Sequence, residues 1–319
     1  MFSSYLTQGE LPGYVRFYLT ELRRNVDTLV YLHNDDVQLS AACRQWLGEN
    51  RIELYPVKNE GLDFGMWGKG IGRYQASDYS EIVLANDSCI VFASLDVLFR
   101  WCRSGSHDFC GVTDSNEKKR HLQSYFIFIK QTAAERVLAY FAAQGIIREG
   151  YEQVVNRYEI GLSQDLLDGG FRMGAYFSVA GSVFTANPSF YFSPTLLRAG
   201  MPMIKRKLVN YGYPAPVLDY LAATQACHSA KDLIKLIRQK QGLSSRQVDA
   251  LFGQCQNEAK WSVKLKIALR NFRRRYVYPL FGIQRTMRLL EHSDFERERG
   301  YRVTGPDGGE IKVLQPAPR

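Results

Sequence analysis

Apolar and polar positions along the first two hundred residues follow a repeated alternation of strand and helix patterns. Tyr14, Val15, Tyr18, Leu19 and Leu22 share one helical face, and residues 28–33 (TLVYLH) then read as a strand. Residues 38–47 return to helical spacing and residues 52–57 to strand spacing. A glycine-rich stretch, NEGLDFGMWGKGIG, leads to a further strand, and a short helix is expected at 96–102. Strands are predicted at 108–112 and 125–129 and a helix at 133–144, which together specify an α/β sheet covered by helices. Met1-Phe-Ser-Ser-Tyr5 reads as the tail of a central strand, either unusually short or starting upstream.

The stretch SEIVLANDSCIVF departs from the apolar pattern of a buried strand. Ile82-Val83-Leu84 and Cys89-Ile90-Val91-Phe92 suit a sheet interior, but Asn86-Asp87-Ser88 lies between them. Burying an unpartnered carboxylate is costly, so these three residues are expected at a strand end, where a ligand can meet them. From Pro214 onward the pattern changes to helices with short connections, at 215–224, 230–241, 245–254 and 257–278, with N-cap chemistry at Ser244 or Ser245. The tail holds a Pro-Asp-Gly-Gly turn signal that fits a hairpin or a loose end. The expected organisation is a sheet domain at 1–213, a basic helical region at 214–296 and a tail at 297–319.

Composition narrows the classes. The 319 residues are 45% hydrophobic, enough for a folded core. No apolar run approaches the roughly 20 residues of a membrane span, and the N-terminal stretch lacks the pattern of a signal peptide. The six cysteines are scattered without ligand-like spacing and read as reduced thiols of a cytoplasmic protein. The net charge of +9 is concentrated between Arg198 and Leu290, where 18 Lys+Arg face 4 Asp+Glu. This asymmetry suggests a polyanionic surface, membrane or nucleic acid, as partner for that region alone. Nucleic acid is not expected, because a pI of 9.2 stands without the aromatic and basic interleaving of a nucleic-acid-binding domain.

Three segments recur in a telling order: Asn59-Glu-Gly61-Leu-Asp63-Phe-Gly65, then Asn86-Asp87-Ser88, then Tyr158-Glu159-Ile-Gly-Leu-Ser-Gln running to Gly170-Phe-Arg172. This order is similar to that of nucleotide-sugar glycosyltransferases of the GT-A type. More closely, NEGLDFGMWGKGI, LANDS, DFCGVTDS, HLQSYFIFI, YEIGLSQ and NPSFYFSPTLLRAGMPMIKRKLV resemble the rhamnan-synthesis F family of bacterial polysaccharide glycosyltransferases, over about residues 1–210. The resemblance implies a GT-A-like mixed sheet flanked by helices, a nucleotide sugar as donor, rhamnose as the first choice of sugar, and O-antigen or a related cell-surface polysaccharide as product. It also implies that Glu159, opening a helix, is the catalytic base.

Glycosyl transfer needs a base for the acceptor hydroxyl and positive charge for the departing nucleoside diphosphate. Glu159 fits the first role, with inversion expected. For the second, Asp87 is a candidate ligand for Mg²⁺ or Mn²⁺, although Asn86 and Ser88 stand where the usual metal motif has a second acid. Lys205, Arg206 and Lys207 are the other candidates for the diphosphate. Asn59, Gly61 and Asp63 would shape a loop against the nucleotide, and His121, Gln123 and Ser124 would line the donor or acceptor sugar pocket. Trp67 and Tyr74 either stack on a sugar or pack in the core.

Residues 260–278, KWSVKLKIALRNFRRRYVY, place Trp261, Leu265, Ala268, Leu269, Phe272 and Tyr276 at helical spacing amid Lys and Arg. Such a helix can lie on an anionic membrane surface, at the inner face of the bacterial inner membrane, and would bring the protein to a lipid-linked glycan acceptor. A rival reading is a catalytically silent subunit that binds sugar nucleotide or glycan within an assembly complex.

Overall fold

The computed structural model describes residues 1–116, 118–145, 150–180, 187–210, 230–253 and 302–311. The predicted helices at 215–224 and 257–278, with the basic stretch 260–278, lie outside the described residues. The chain divides into two units, the first formed by Met1–Cys89 and Ser94–Ser178, the second by Ile90–Ala93 and the described residues from Asn187 onward.

In the first unit the strand–helix rhythm produces β1 (Phe2–Ser4), α1 (Gly13–Asn25), β2 (Leu29–Asn34), α2 (Ala41–Glu49), β3 (Ile52–Val57), α3 (Leu62–Ile71) and β4 (Glu81–Asn86). After β5 (Cys89–Val91), which belongs mostly to the second unit, come α4 (Asp96–Ser104), β6 (Phe109–Ser115), β7 (His121–Leu122), β8 (Phe126–Lys130) and α5 (Gln131–Gln144). The unit ends with α6 (Tyr151–Val154), a π-helical segment (Val155–Ile160), α7 (Gly161–Asp168) and β9 (Met173–Ala180). The strands lie side by side in the order β9-β6-β8-β4-β1-β2-β3, with β7 added to β6. β1 pairs in parallel with β2 and β4, β2 with β3, and β6 with β9, whereas β8 is antiparallel to both β4 and β6. The sheet is therefore mixed and flanked by helices. One consequence decides where the chemistry sits: the carboxyl ends of β1, β2, β3, β4, β6 and β9 and the amino end of β8 share one rim.

Both faces of this sheet are packed with aromatic side chains. On one, Phe64 lies edge-on to Trp67 at 4.9 Å and stacked on Tyr158 at 5.3 Å, with Phe141 of α5 stacked on Tyr158 at 5.4 Å. On the other, Tyr18 of α1 meets Phe2 at 4.9 Å and Phe99 of α4 meets Phe126 at 5.6 Å. The glycine-rich stretch forms a helix because close approach outweighs the poor helix propensity of glycine. A Cβ on Gly70 would stand 3.1 Å from Leu32 of β2, and one on Gly68 would stand 3.2 Å from Phe141. α2 begins at Ser40, whose hydroxyl accepts from the Cys43 N–H at 3.1 Å.

In the second unit β5 pairs with β10 (Met203–Lys205). Helix Ala230–Gln241 forms as predicted and buries Leu233, Ile234 and Ile237. Ser244, one of the two candidate caps, makes a reciprocal capping box with Gln247 at the start of Ser245–Val248. The Pro-Asp-Gly-Gly signal closes an antiparallel hairpin of β11 (Arg302–Thr304) and β12 (Glu310–Ile311), with Gly308 at φ +76°. Among the described residues no helix is long and apolar enough to cross a membrane.

Candidate active site

The polar step in SEIVLANDSCIVF falls at the rim. Asn86 is the last residue of β4, level with Ser3 of β1, and Asp87-Ser88 turn the chain into β5. The Asn86 side chain donates through Nδ2 to Asp63 Oδ2 at 3.0 Å and accepts the Ser88 N–H at 3.0 Å. Ser3 Oγ donates to the other Asp63 oxygen, also at 3.0 Å. Asp63 thus spans the ends of β1 and β4 from the first turn of α3, and the chain enters that turn through left-handed backbone at Gly61 (φ +75°) and Leu62 (φ +56°). A side chain costs conformational energy at such a φ, so Gly61 suits its place and Leu62 is held there against preference. Asp87 is buried, its N–H donates to the Ser3 carbonyl at 3.2 Å, and its Oδ2 lies 3.4 Å from the Tyr14 hydroxyl.

Glu159 comes to this rim on the π-helical segment. A π insertion rotates the side chains that follow it relative to an α-helix and is often found at functional sites. Here it accompanies a bond from the Ser124 backbone N–H to Glu159 Oε1 at 2.8 Å. Ser163 ties the segment further, donating to the Glu159 carbonyl at 3.3 Å and accepting the Leu122 N–H at 3.2 Å. Ser124 directly precedes Tyr125, whose carbonyl accepts the Asn86 N–H at 3.4 Å. A short backbone path, Asn86 to Tyr125 to Ser124, therefore links the end of β4 to the Glu159 carboxylate.

The other predicted site residues are distributed as follows. Asn59 is exposed before α3, and Ser88 and Ser124 are half-buried on the rim. His121 and Gln123 are buried and bonded within the protein: His121 Nδ1 lies 2.7 Å from the Lys119 carbonyl, and Gln123 Oε1 accepts from Thr113 Oγ1 at 2.6 Å. Lys205 and Arg206 belong to the second unit, at the end of β10 and the start of the helix Arg206–Asn210. Trp67 is fully buried in the core, which settles it as packing. Tyr74 bonds Glu53 at 3.0 Å and borders a cavity of about 560 Å³, lined also by Leu22, Val30, Ile71 and Tyr79, at the amino end of the sheet and so remote from this rim.

Two rim features carried no assignment from sequence. Asp114 near the end of β6 is buried and accepts from Arg120 Nε at 3.1 Å and Ser178 Oγ at 2.9 Å. Its signal was the same as at Asn86-Asp87, a polar break at the end of an apolar strand in DFCGVTDS. At the end of β2, Asn34 holds the loop after β1, accepting the Leu6 N–H at 2.7 Å and donating to the Leu6 carbonyl at 3.0 Å. Beside it His33 is buried, with Nδ1 2.8 Å from the Asn34 carbonyl. A carbonyl only accepts, so Nδ1 carries the hydrogen and Nε2 is a buried acceptor without a partner among the described residues. Burial holds the His33 pKa below the usual histidine value.

The rim therefore offers a half-buried carboxylate with one oxygen anchored to a backbone amide, a second buried carboxylate at Asp87, and a cluster of amide and hydroxyl groups. Among the described residues no group of three His, Cys, Asp or Glu side chains converges in metal-binding geometry.

Comparison with known proteins agrees with the motif order. The model of the rhamnan synthesis protein F family matches residues 32–254, more than half of the 319. No curated protein sequence matches significantly. Among solved structures, one of an active-site mutant of LgtC is similar over 60% of this chain and 74% of that one, at 15% identity and a TM-score of 0.31. With the family match covering every rim segment from β2 to α7, the chain belongs to the rhamnan synthesis protein F family, a glycosyltransferase family of polysaccharide synthesis.

Proposed function

We propose that the protein transfers a sugar, rhamnose as first choice, from a nucleotide-sugar donor to a growing cell-surface polysaccharide such as O-antigen, with Glu159 as general base and inversion at the anomeric carbon. The supporting observation is the Glu159 carboxylate itself, fixed through Oε1 to the Ser124 N–H on the rim where the ends of β1 and β4 meet. In this reading the other oxygen, Oε2, takes the proton of the acceptor hydroxyl. The hydroxyl oxygen attacks the anomeric carbon from the face opposite the leaving group, and the bond to the diphosphate breaks with its electron pair staying on the diphosphate. Asn59, Gly61 and Asp63 would hold the nucleotide, and Ser124 would face the sugar.

The nucleoside diphosphate leaves with negative charge that something must balance. Asp87 is a hard oxygen ligand of the kind Mg²⁺ or Mn²⁺ prefers, and a single carboxylate with phosphate oxygens can hold such an ion, which would supply that charge. The acceptor is proposed to be lipid-linked, with the basic stretch 260–278 bringing the protein to an anionic membrane, as its composition supports.

Incubation of the purified full chain with a panel of nucleotide sugars, with and without Mn²⁺, tests the reading. Thermal stabilisation by one donor, and transfer from it to a rhamnan or O-antigen acceptor that is lost in Glu159→Gln, is the expected result. Donor binding without turnover in the wild-type protein supports the silent-subunit reading instead.

A further inference from the structure

The turn between β6 and β7 carries Lys118, Lys119 and Arg120 in succession. A run of like charge on an exposed turn repels itself and is ordinarily left loose in solvent. This one is tethered. Lys118 Nζ donates to Asn156 Oδ1 at 2.8 Å, the Arg120 carbonyl accepts from Gln164 Nε2 at 2.6 Å, and Arg120 Nε donates to the buried Asp114. Asn156 and Gln164 lie on the helical stretch that holds Glu159, one on each side of it. His121 Nδ1 adds a contact to the Lys119 carbonyl at 2.7 Å.

Lys118 is held at φ +68°, a conformation unfavourable for any residue with a Cβ. Its tethers therefore hold it where an untethered lysine would not remain. Asp114 balances Arg120, whereas Lys118 and Lys119 have no carboxylate partner among the described residues. The Lys118 ammonium, fixed to the segment of a half-buried carboxylate on a polar rim, and the exposed Lys119 next to it in the chain match a compact anion with several oxygens.

We propose that Lys118 and Lys119 form an anion subsite beside Glu159 that takes a diphosphate group. The diphosphate belongs either to the nucleotide-sugar donor or to an isoprenoid-linked acceptor. The proposal rests on the glycosyltransferase reading for the source of the diphosphate, and on the turn's geometry for the site.

The test titrates inorganic pyrophosphate, UDP, TDP and farnesyl diphosphate in detergent micelles into the full chain, at low and raised salt. The wild type is compared with Lys118→Gln/Lys119→Gln and with Lys118→Arg/Lys119→Arg, and circular dichroism verifies the fold of each. The expected result is a loss of about tenfold or more in pyrophosphate affinity in the Gln variant, recovery in the Arg variant, and weakening with salt. Alongside the pyrophosphate loss, a parallel loss for UDP or TDP assigns the subsite to the donor, and a parallel loss for farnesyl diphosphate without one for UDP or TDP assigns it to the acceptor. Equal affinities in wild type and Gln variant, or no pyrophosphate binding to the wild type, overturn the proposal. Intact pyrophosphate binding in a protein that transfers no sugar supports the subsite while removing the transferase reading, so the two failures are separable.

Discussion

The Ser124 backbone N–H donates to Glu159 Oε1 at 2.8 Å. A backbone donor cannot swing away as a side chain can, so the carboxylate is oriented by the start of β8 itself. That strand is antiparallel to β4, which brings its start level with the Asn86 end of β4, at the Ala85–Phe126 pair. The arrangement makes the Asn86-Asp87-Ser88 step and Glu159 neighbours on a single rim, although they are distant in sequence.

Asp63 fastens the rim. Its two oxygens accept from Ser3 and Asn86, so Asp63→Ala leaves two polar groups unsatisfied, both on buried residues. We expect a loss of about 1–3 kcal/mol in unfolding free energy, read by urea denaturation, together with weaker donor binding.

Core and surface should separate sharply in stability. Trp67→Ala removes a fully buried indole packed on Phe64 and should cost about 3–5 kcal/mol. Arg136 reaches Asp165 at 2.6 Å across an exposed surface, and Arg136→Ala should cost less than about 1 kcal/mol. Parallel urea titrations of the two variants check the contrast.

Two buried histidines set an acid limit. His107 lies against Trp101 at 4.6 Å with Nε2 3.1 Å from the Cys102 carbonyl, and burial lowers its pKa, as it does for His33. A depressed pKa means that the folded state binds fewer protons than the unfolded one. The stability contributed by the neutral rings is therefore complete above about pH 6.5, the ordinary histidine value, and is lost as pH falls through the folded-state values. Melting temperatures measured from pH 8 to pH 5 should hold steady and then decline, and His107→Gln should flatten that decline.

Local patterning was legible where local forces dominate. The run Ile52–Val57 forms β3 and residues 230–241 form a helix, as alternation and helical spacing require. α3 was harder to see because its glycines argue against a helix, and the contacts that favour it, to Leu32 and Phe141, come from elsewhere in the chain. The same holds at the rim. Asn86-Asp87-Ser88 stood out as a break in an apolar run, whereas the significance of Asp114 and Asn34 depends on Ser178, Arg120 and Leu6, partners set by strand register and loop path. His121 and Gln123 were expected to line a pocket because they are polar at a strand start. In the fold, Thr113 and the Lys119 carbonyl engage them inside the protein.

The central claim, that Asp87 and Glu159 serve one site with different tasks, is tested most directly by measuring donor affinity and turnover side by side in Asp87→Asn and Glu159→Gln. The account predicts that Asp87→Asn weakens donor binding. It predicts that Glu159→Gln keeps the wild-type donor affinity while losing about a hundredfold or more in transfer rate. Full transfer activity in Glu159→Gln would contradict it.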